Sequence, residues 1–339
     1  VLEGWQDRIG VMMIVRDEEG TIERALRSTV PFASAWCICD TGSTDGTWHI
    51  VNELATRVGI PTRLFRSEWV HFAHNRNLVL ADARATFHVK HDRETPCPSH
   101  WLSLDADETC EVVDQYPPRL DADVGLLPIT MPPHGHQWVP RLVRAGAAHV
   151  EFHFKAHEVL GSPGEDFSLQ RYSGIVLHHA EKTPDQDLAS HKRNLKLLEQ
   201  EYQANPTETR TWFYLGDAWE HLGDAQEAAK WYRKRATHDG NFEEEGWYAL
   251  YRYGVLLCRA GKPEGVDILL RAVARRPTRA EPLAELASYY HGQDVPLMAA
   301  YFERWASGIP YPEGDLMPIE ELLYRPELRP SEETMARAT

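Results

Sequence analysis

The 339-residue chain is 26% charged and 10% aromatic, with a net charge of −15, so a general nucleic-acid or anionic-membrane surface is excluded, since both need clustered Lys and Arg. The length allows two domains with separate cores, no apolar run approaches the ~20 residues of a membrane span, and no signal peptide opens the sequence. Five cysteines, odd in number and without a CxxC pair, fit a reduced, cytoplasmic protein.

Ile9 to Val15 is a continuous apolar run, expected to be a strand buried on both faces. Arg16-Asp17-Glu18-Glu19 follows, and Thr21 can cap a helix whose Ile22, Ala25, Leu26 and Thr29 share one face. Ala35 to Cys39 reads as a second strand, and Ile50, Val51, Leu54 and Val58 as a second helix. Strand, helix, strand, helix with short links is the pattern of a parallel sheet, whose ligands sit beyond the C-terminal strand ends. That places Asp40, in Asp40-Thr41-Gly42-Ser43-Thr44-Asp45-Gly46-Thr47, where it can meet a ligand.

Thr62 to Phe65 is a third strand, and Phe72-Ala73-His74-Asn75-Arg76-Asn77 opens a helix whose start can collect anions, with Arg76 adding a fork. After the polar stretch from Lys90 to His100 comes Trp101-Leu102-Ser103-Leu104-Asp105-Ala106-Asp107-Glu108. Asp105 and Asp107, two apart on a fraying strand, can share a face and repel unless a cation lies between them. Oxygen ligands suit Mg²⁺ or Mn²⁺. Strand candidates at 124–129 and 137–144 flank a Pro- and His-rich loop containing His134 and His136. A strand-like run from Phe152 to Leu160 and an apolar strand ending in His178-His179 complete this half.

After Pro184 apolar residues recur at three and four. Trp212 to Trp219, then Gly223, Ala228 and Tyr232, fit the tetratricopeptide template; Tyr253-Gly254 and Gly261 repeat it at an offset of 38, and Leu286-Ala287 near Tyr290 gives a weaker third copy. Expected divisions are an α/β domain over 1–185, a connecting helix over 186–205, helical repeats over 206–310 and a surface tail over 311–339. The Trp and Tyr stripe is expected to be core.

The segments 40–47, 75–77 and 102–108, in this order and spacing, resemble the successive signatures of family-2 glycosyltransferases of the GT-A fold. His157-Glu158-Val159-Leu160 is similar to the His-Glu segment of members with a tetratricopeptide extension, peptide S-glycosyltransferases of bacteriocin pathways among them. The chain departs from the family in its long Lys90–His100 link and in Asp17, where many relatives carry Asn. The resemblance implies a UDP-sugar donor, Mn²⁺ or Mg²⁺, and inversion at the anomeric carbon. It implies that Asp40 meets the uracil, Arg76 the base or diphosphate, and Asp105 the ribose, with Val15, Asp17 and Ser43 as further donor contacts. Asp107 would bind the metal, with His178 as a further ligand and His179 as the alternative. Glu158 would be the acceptor's base and His157 its orienter or an acceptor contact, unless Glu158 is a structural partner of Arg141 or Lys155. A peptide or protein acceptor is expected, with a saccharide or small molecule as the alternative, and a homodimer through the helical half is possible. Asp105-Ala106-Asp107-Glu108-Thr109 also fits the DxDxT pattern of haloacid-dehalogenase-like phosphatases, with Asp105 as nucleophile. A Rossmann dehydrogenase is disfavoured because no GxGxxG follows a strand. A non-enzymatic repeat scaffold is the third alternative.

Overall fold

In a computed structural model, residues 9–87, 97–114, 121–130, 136–162, 164–238, 242–312, 315, 317 and 319–324 are described. Most of the Lys90–His100 link, the loop at His134 and most of the tail lie outside them. The chain divides between Glu181 and Lys182 into two compact units, apart from a short loop segment.

The first unit holds β1 (Ile9–Val15), α1 (Ile22–Thr29), β2 (Ala33–Asp40), α2 (Thr47–Val58), β3 (Thr62–Arg66), α3 (Phe72–Phe87), β4 (His100–Ser103), β5 (Glu108–Val112), β6 (Val124–Thr130), β7 (His136–Arg144), β8 (Glu151–His153), β9 (Val159–Gly161), β10 (Leu169–Arg171) and β11 (Ile175–His179). The main sheet runs β3-β2-β1-β4-β7-β6-β11-β5, with β10 also paired to β6. β3, β2, β1 and β4 are parallel; β7 joins β4 and β6 antiparallel, and β5 joins β11 antiparallel. β1 and β2 are covered on both faces, as their unbroken apolar sequences require: Val11, Met13, Trp36 and Ile38 fill one core, and Met12, Cys37 and Cys39 the other. Register pairs Val15 with Asp40 and Met12 with Ser103, so the segments after β1, β2 and β4 leave the sheet along one edge.

The second unit begins with α4 (Pro184–Ala204), started by a reciprocal cap between Thr183 and Gln186. The helix expected to connect the halves instead packs on α5 (Thr209–His221) as part of this unit. Three helical hairpins follow: α5 with α6 (Ala225–Ala236), α7 (Glu243–Arg259) with α8 (Glu264–Arg275), and α9 (Glu281–Gly292) with α10 (Pro296–Ser307). This is a tetratricopeptide-like unit. Gly216 touches the Tyr232 ring so closely that a Cβ would lie 2.7 Å from it. The hairpin turns carry left-handed residues at Gly223 and Gly261, and in the third at Asp294, with φ of 58°. An Asp in the glycine position explains the weaker third repeat. Trp212, Tyr232, Trp247 and Tyr251 are buried core side chains.

Candidate functional site

Asp40 ends β2 with its side chain wholly buried. Its Oδ1 accepts the backbone N–H groups of Gly42 (2.9 Å) and Ser43 (2.6 Å), a turn for which Gly42 supplies φ of 110°. Its Oδ2 has no hydrogen-bond partner, and the Arg66 Nε stands 3.8 Å away. A buried carboxylate oxygen without a donor is costly and is poised for an N–H from outside.

The loops after β1 and β2 are stitched together. Asp17, left-handed at φ of 55°, accepts the Thr44 N–H (2.7 Å), and its own N–H donates to the Ser43 hydroxyl oxygen (3.0 Å). The Gly46 N–H donates to Glu19, and the Glu19 N–H donates to Asp45. An Asn at 17 could accept the same bond, so Asp17 keeps the loop's geometry. Val15 packs into the core, and its carbonyl oxygen accepts from the Thr41 N–H and hydroxyl. Val15 and Asp17 both shape the strand end that carries Asp40 and Ser43.

The Asn-Arg-Asn triplet lies inside the first turns of α3. Asn75 holds the preceding loop through the Val70 N–H and the Glu68 carbonyl oxygen. Asn77 exchanges two hydrogen bonds with the Phe152 backbone on β8. Arg76, 4% exposed, donates to Ser103 (2.8 Å), to Asp105 Oδ1 (2.5 Å) and to Glu158. Where contact with base or diphosphate was expected, the Arg76 guanidinium is buried and has three protein partners.

Asp105 turns its carboxylate toward two arginines. Its second oxygen takes Arg141 Nη2 at 3.1 Å, and that same nitrogen donates to Glu108 at 2.6 Å. Burial pushes the Asp105 carboxyl up, but Arg76 and Arg141 outweigh it and hold the group below the usual carboxylate range. Burial likewise raises Glu108, and Arg141 only partly offsets it. A carboxyl depressed in the folded state contributes stability that is complete above its unfolded value and is lost as pH falls through and below that range. The melting-temperature gap between parent and Asp105→Asn is therefore expected to be wide at neutral pH and to narrow below about pH 4. A gap independent of pH would refute the pairing. With both oxygens paired to arginines, Asp105 is also a poor phosphatase nucleophile.

Asp107 lies beyond the end of β4 with His179 Nε2 3.4 Å from its Oδ2. His178, the first-named ligand, faces away: its Nε2 sits 2.9 Å from Glu111 on β5. Neighbours on a strand point to opposite faces, and the β11–β5 pairing decides which histidine turns toward Asp107. A carboxylate and an imidazole 3.4 Å apart fit two positions on one divalent ion with bonds of about 2.0–2.2 Å, leaving the others for phosphate oxygens or water.

The strand-like run from Phe152 is a hairpin of β8 and β9, turning through left-handed Phe154 and His157. Glu158 enters β9 and pairs with Arg76, and it also attracts the Arg141 charge. Arg141 and Glu108 are the members of this cluster that sequence reasoning assigned no site role. Glu18 also escaped notice: burial raises its carboxyl, the Thr21 hydroxyl partly offsets this, and Asp107, Asp105 and Asp45 add to the rise. Its position in the acidic run directly after β1 was the available signal.

The geometry defines a mixed α/β unit with a charged cluster at the C-terminal strand edge, followed by tetratricopeptide-like hairpins. No protein family and no curated protein matches the chain in sequence. Among solved structures, MamA is 18% identical over 37% of this chain and 73% of its own, with a TM-score of 0.32. MamA from Desulfovibrio magneticus RS-1 is 21% identical over 37% and 71%, with a TM-score of 0.33. YrrB, described as a TPR protein with an unusual peptide-binding site, is 16% identical over 36% and 61%, with a TM-score of 0.32. Among the described residues, no helix is long and apolar enough to cross a membrane.

Proposed function

We propose that the α/β unit is a GT-A-type nucleotide-sugar domain and that the chain is an inverting glycosyltransferase using a UDP-sugar. The observation that carries this reading is Asp40, a sealed carboxylate at the strand edge with one oxygen unpartnered. That oxygen suits the N3–H of a uracil. Asp107 and His179 would hold Mn²⁺ or Mg²⁺, which when bound supplies Lewis-acid stabilisation of the departing diphosphate. Asp105, oriented by two arginines and one-third open, would accept from a ribose hydroxyl.

Glu158, fixed through one oxygen by Arg76, keeps its second oxygen to take the proton of an attacking hydroxyl or thiol. The acceptor is a peptide or protein side chain, because stacked helical hairpins create extended surfaces suited to an unfolded segment.

Asp40→Asn tests the donor reading. Asparagine can still accept from Gly42 and Ser43, but it presents an NH₂ group where the uracil N–H must donate. UDP affinity by calorimetry is expected to fall by about 10–100-fold, the value of a charged hydrogen bond, with little loss of melting temperature. Unchanged affinity together with a large thermal loss would make Asp40 purely structural.

A further inference from the structure

A second group of ligand-type side chains lies in the helical unit, remote in sequence from the cluster around Arg76. His191 projects from α4, and Asp217 and His221 stand one turn apart on α5. The two imidazoles stack, with centroids 4.1 Å apart and planes 8° from parallel. One ligand atom from each of the three residues lies within 4.8 Å of the others.

Each imidazole has its two nitrogens differentiated. His221 Nδ1 lies 2.9 Å from the Asp217 backbone oxygen, so it donates there and leaves Nε2 as the basic nitrogen. His191 Nε2 lies 3.5 Å from Asp187 Oδ1, one turn earlier on α4. Its Nδ1 is buried and has no hydrogen-bond partner. An outer partner on one nitrogen and an unused lone pair on the other is how a metal-ligating histidine is held. Lys182, Glu220 and Arg252 complete the charged surroundings.

We propose that His191, Asp217 and His221 form a divalent transition-metal site of the zinc class that staples α4 to α5. Two imidazoles and one carboxylate are a zinc-type donor set, with the fourth position left to water. Side-chain shifts on the order of 1 Å bring the three atoms to bonding distance. Asp187 is the outer partner that orients His191. The competing account is a Asp217–His221 ion pair with His191 stacked on it, which needs no metal.

The full-length chain, stripped with chelator, is titrated with Co²⁺ followed by Zn²⁺. The parent is expected to develop the visible absorption of low-coordinate Co²⁺, which Zn²⁺ then displaces at one equivalent. His191→Gln and His221→Gln should lose that band, whereas Asp107→Ala should keep it. Asp187→Asn should retain the band with affinity reduced about 10–100-fold, and the two His variants should lose more than that. Melting curves in chelator establish that the variants fold. Should a His variant not fold, Asp187→Asn and the Asp107→Ala control still decide the matter. Absence of the band in the parent, or its persistence in both folded His variants, overturns the site.

Discussion

Asp107→Ala is expected to lower sugar transfer by about three orders of magnitude or more, because the metal's stabilisation of a departing diphosphate is worth several kcal/mol and each 1.4 kcal/mol is tenfold. Stability should change by no more than about 0.5 kcal/mol, since the side chain is partly exposed and its removal opens no cavity. His179→Asn should move activity the same way, and His178→Asn should leave it near the parent, because His178 is engaged with Glu111 on the opposite face. The measurement is transfer from a panel of nucleotide sugars, with and without Mn²⁺, after stripping with EDTA. Full turnover in the stripped parent would remove the metal from the reaction, and equal loss in both histidine variants would contradict the assigned register.

Arg76→Met should have the largest effect on folding. It leaves the carboxylates of Asp105 and Glu158 without the guanidinium that joins them, and breaking a buried pair from one side costs about 3–5 kcal/mol. Denaturant unfolding should show a clear fall in the midpoint, and loss of UDP binding would follow from disorder at Asp105. Glu158→Gln separates structure from chemistry at the same place. The amide can still accept from Arg76, so stability and UDP affinity should stay close to the parent, while transfer to a hydroxyl acceptor drops by about 10²–10⁴-fold. A thiol acceptor should soften that drop, because a cysteine is already partly ionised near neutral pH. If the Gln variant transfers at the parent rate with an unchanged pH profile, the base lies elsewhere.

The parallel part of the fold was readable because its signals are local. The apolar run of β1, the face of α1 and the acidic end of β2 each report burial within a few residues. β4 was placed correctly but closes at Ser103, so Asp105 and Asp107 lie beyond it rather than on one strand face. β5 was missed: Glu-Thr-Cys-Glu-Val is short, mixed and weakly alternating, and it is a strand because β11 pairs with it. That pairing also decides between His178 and His179, which no local pattern could do. The tie from Arg76 to Asp105 and Glu158 spans 29 and 82 residues, and a sequence carries no distance of that kind. Arg141 was hidden for the same reason, on an antiparallel strand whose neighbour in the sheet is β4.

The backbone amides of Gly42, Ser43, Thr44, Gly46 and Thr47 already donate to the carboxylates of Asp40, Asp17, Glu19 and Asp45. In many nucleotide-binding folds the amides at such a helix start neutralise the phosphates. Here acidic side chains cap that position, and the rim repels an unaccompanied anion. On the glycosyl-transfer reading, the diphosphate is retained only as long as its cation is. Departure of the cation and of the spent nucleotide then become one event, and that event sets a ceiling on turnover that no improvement in the bond-forming step can raise.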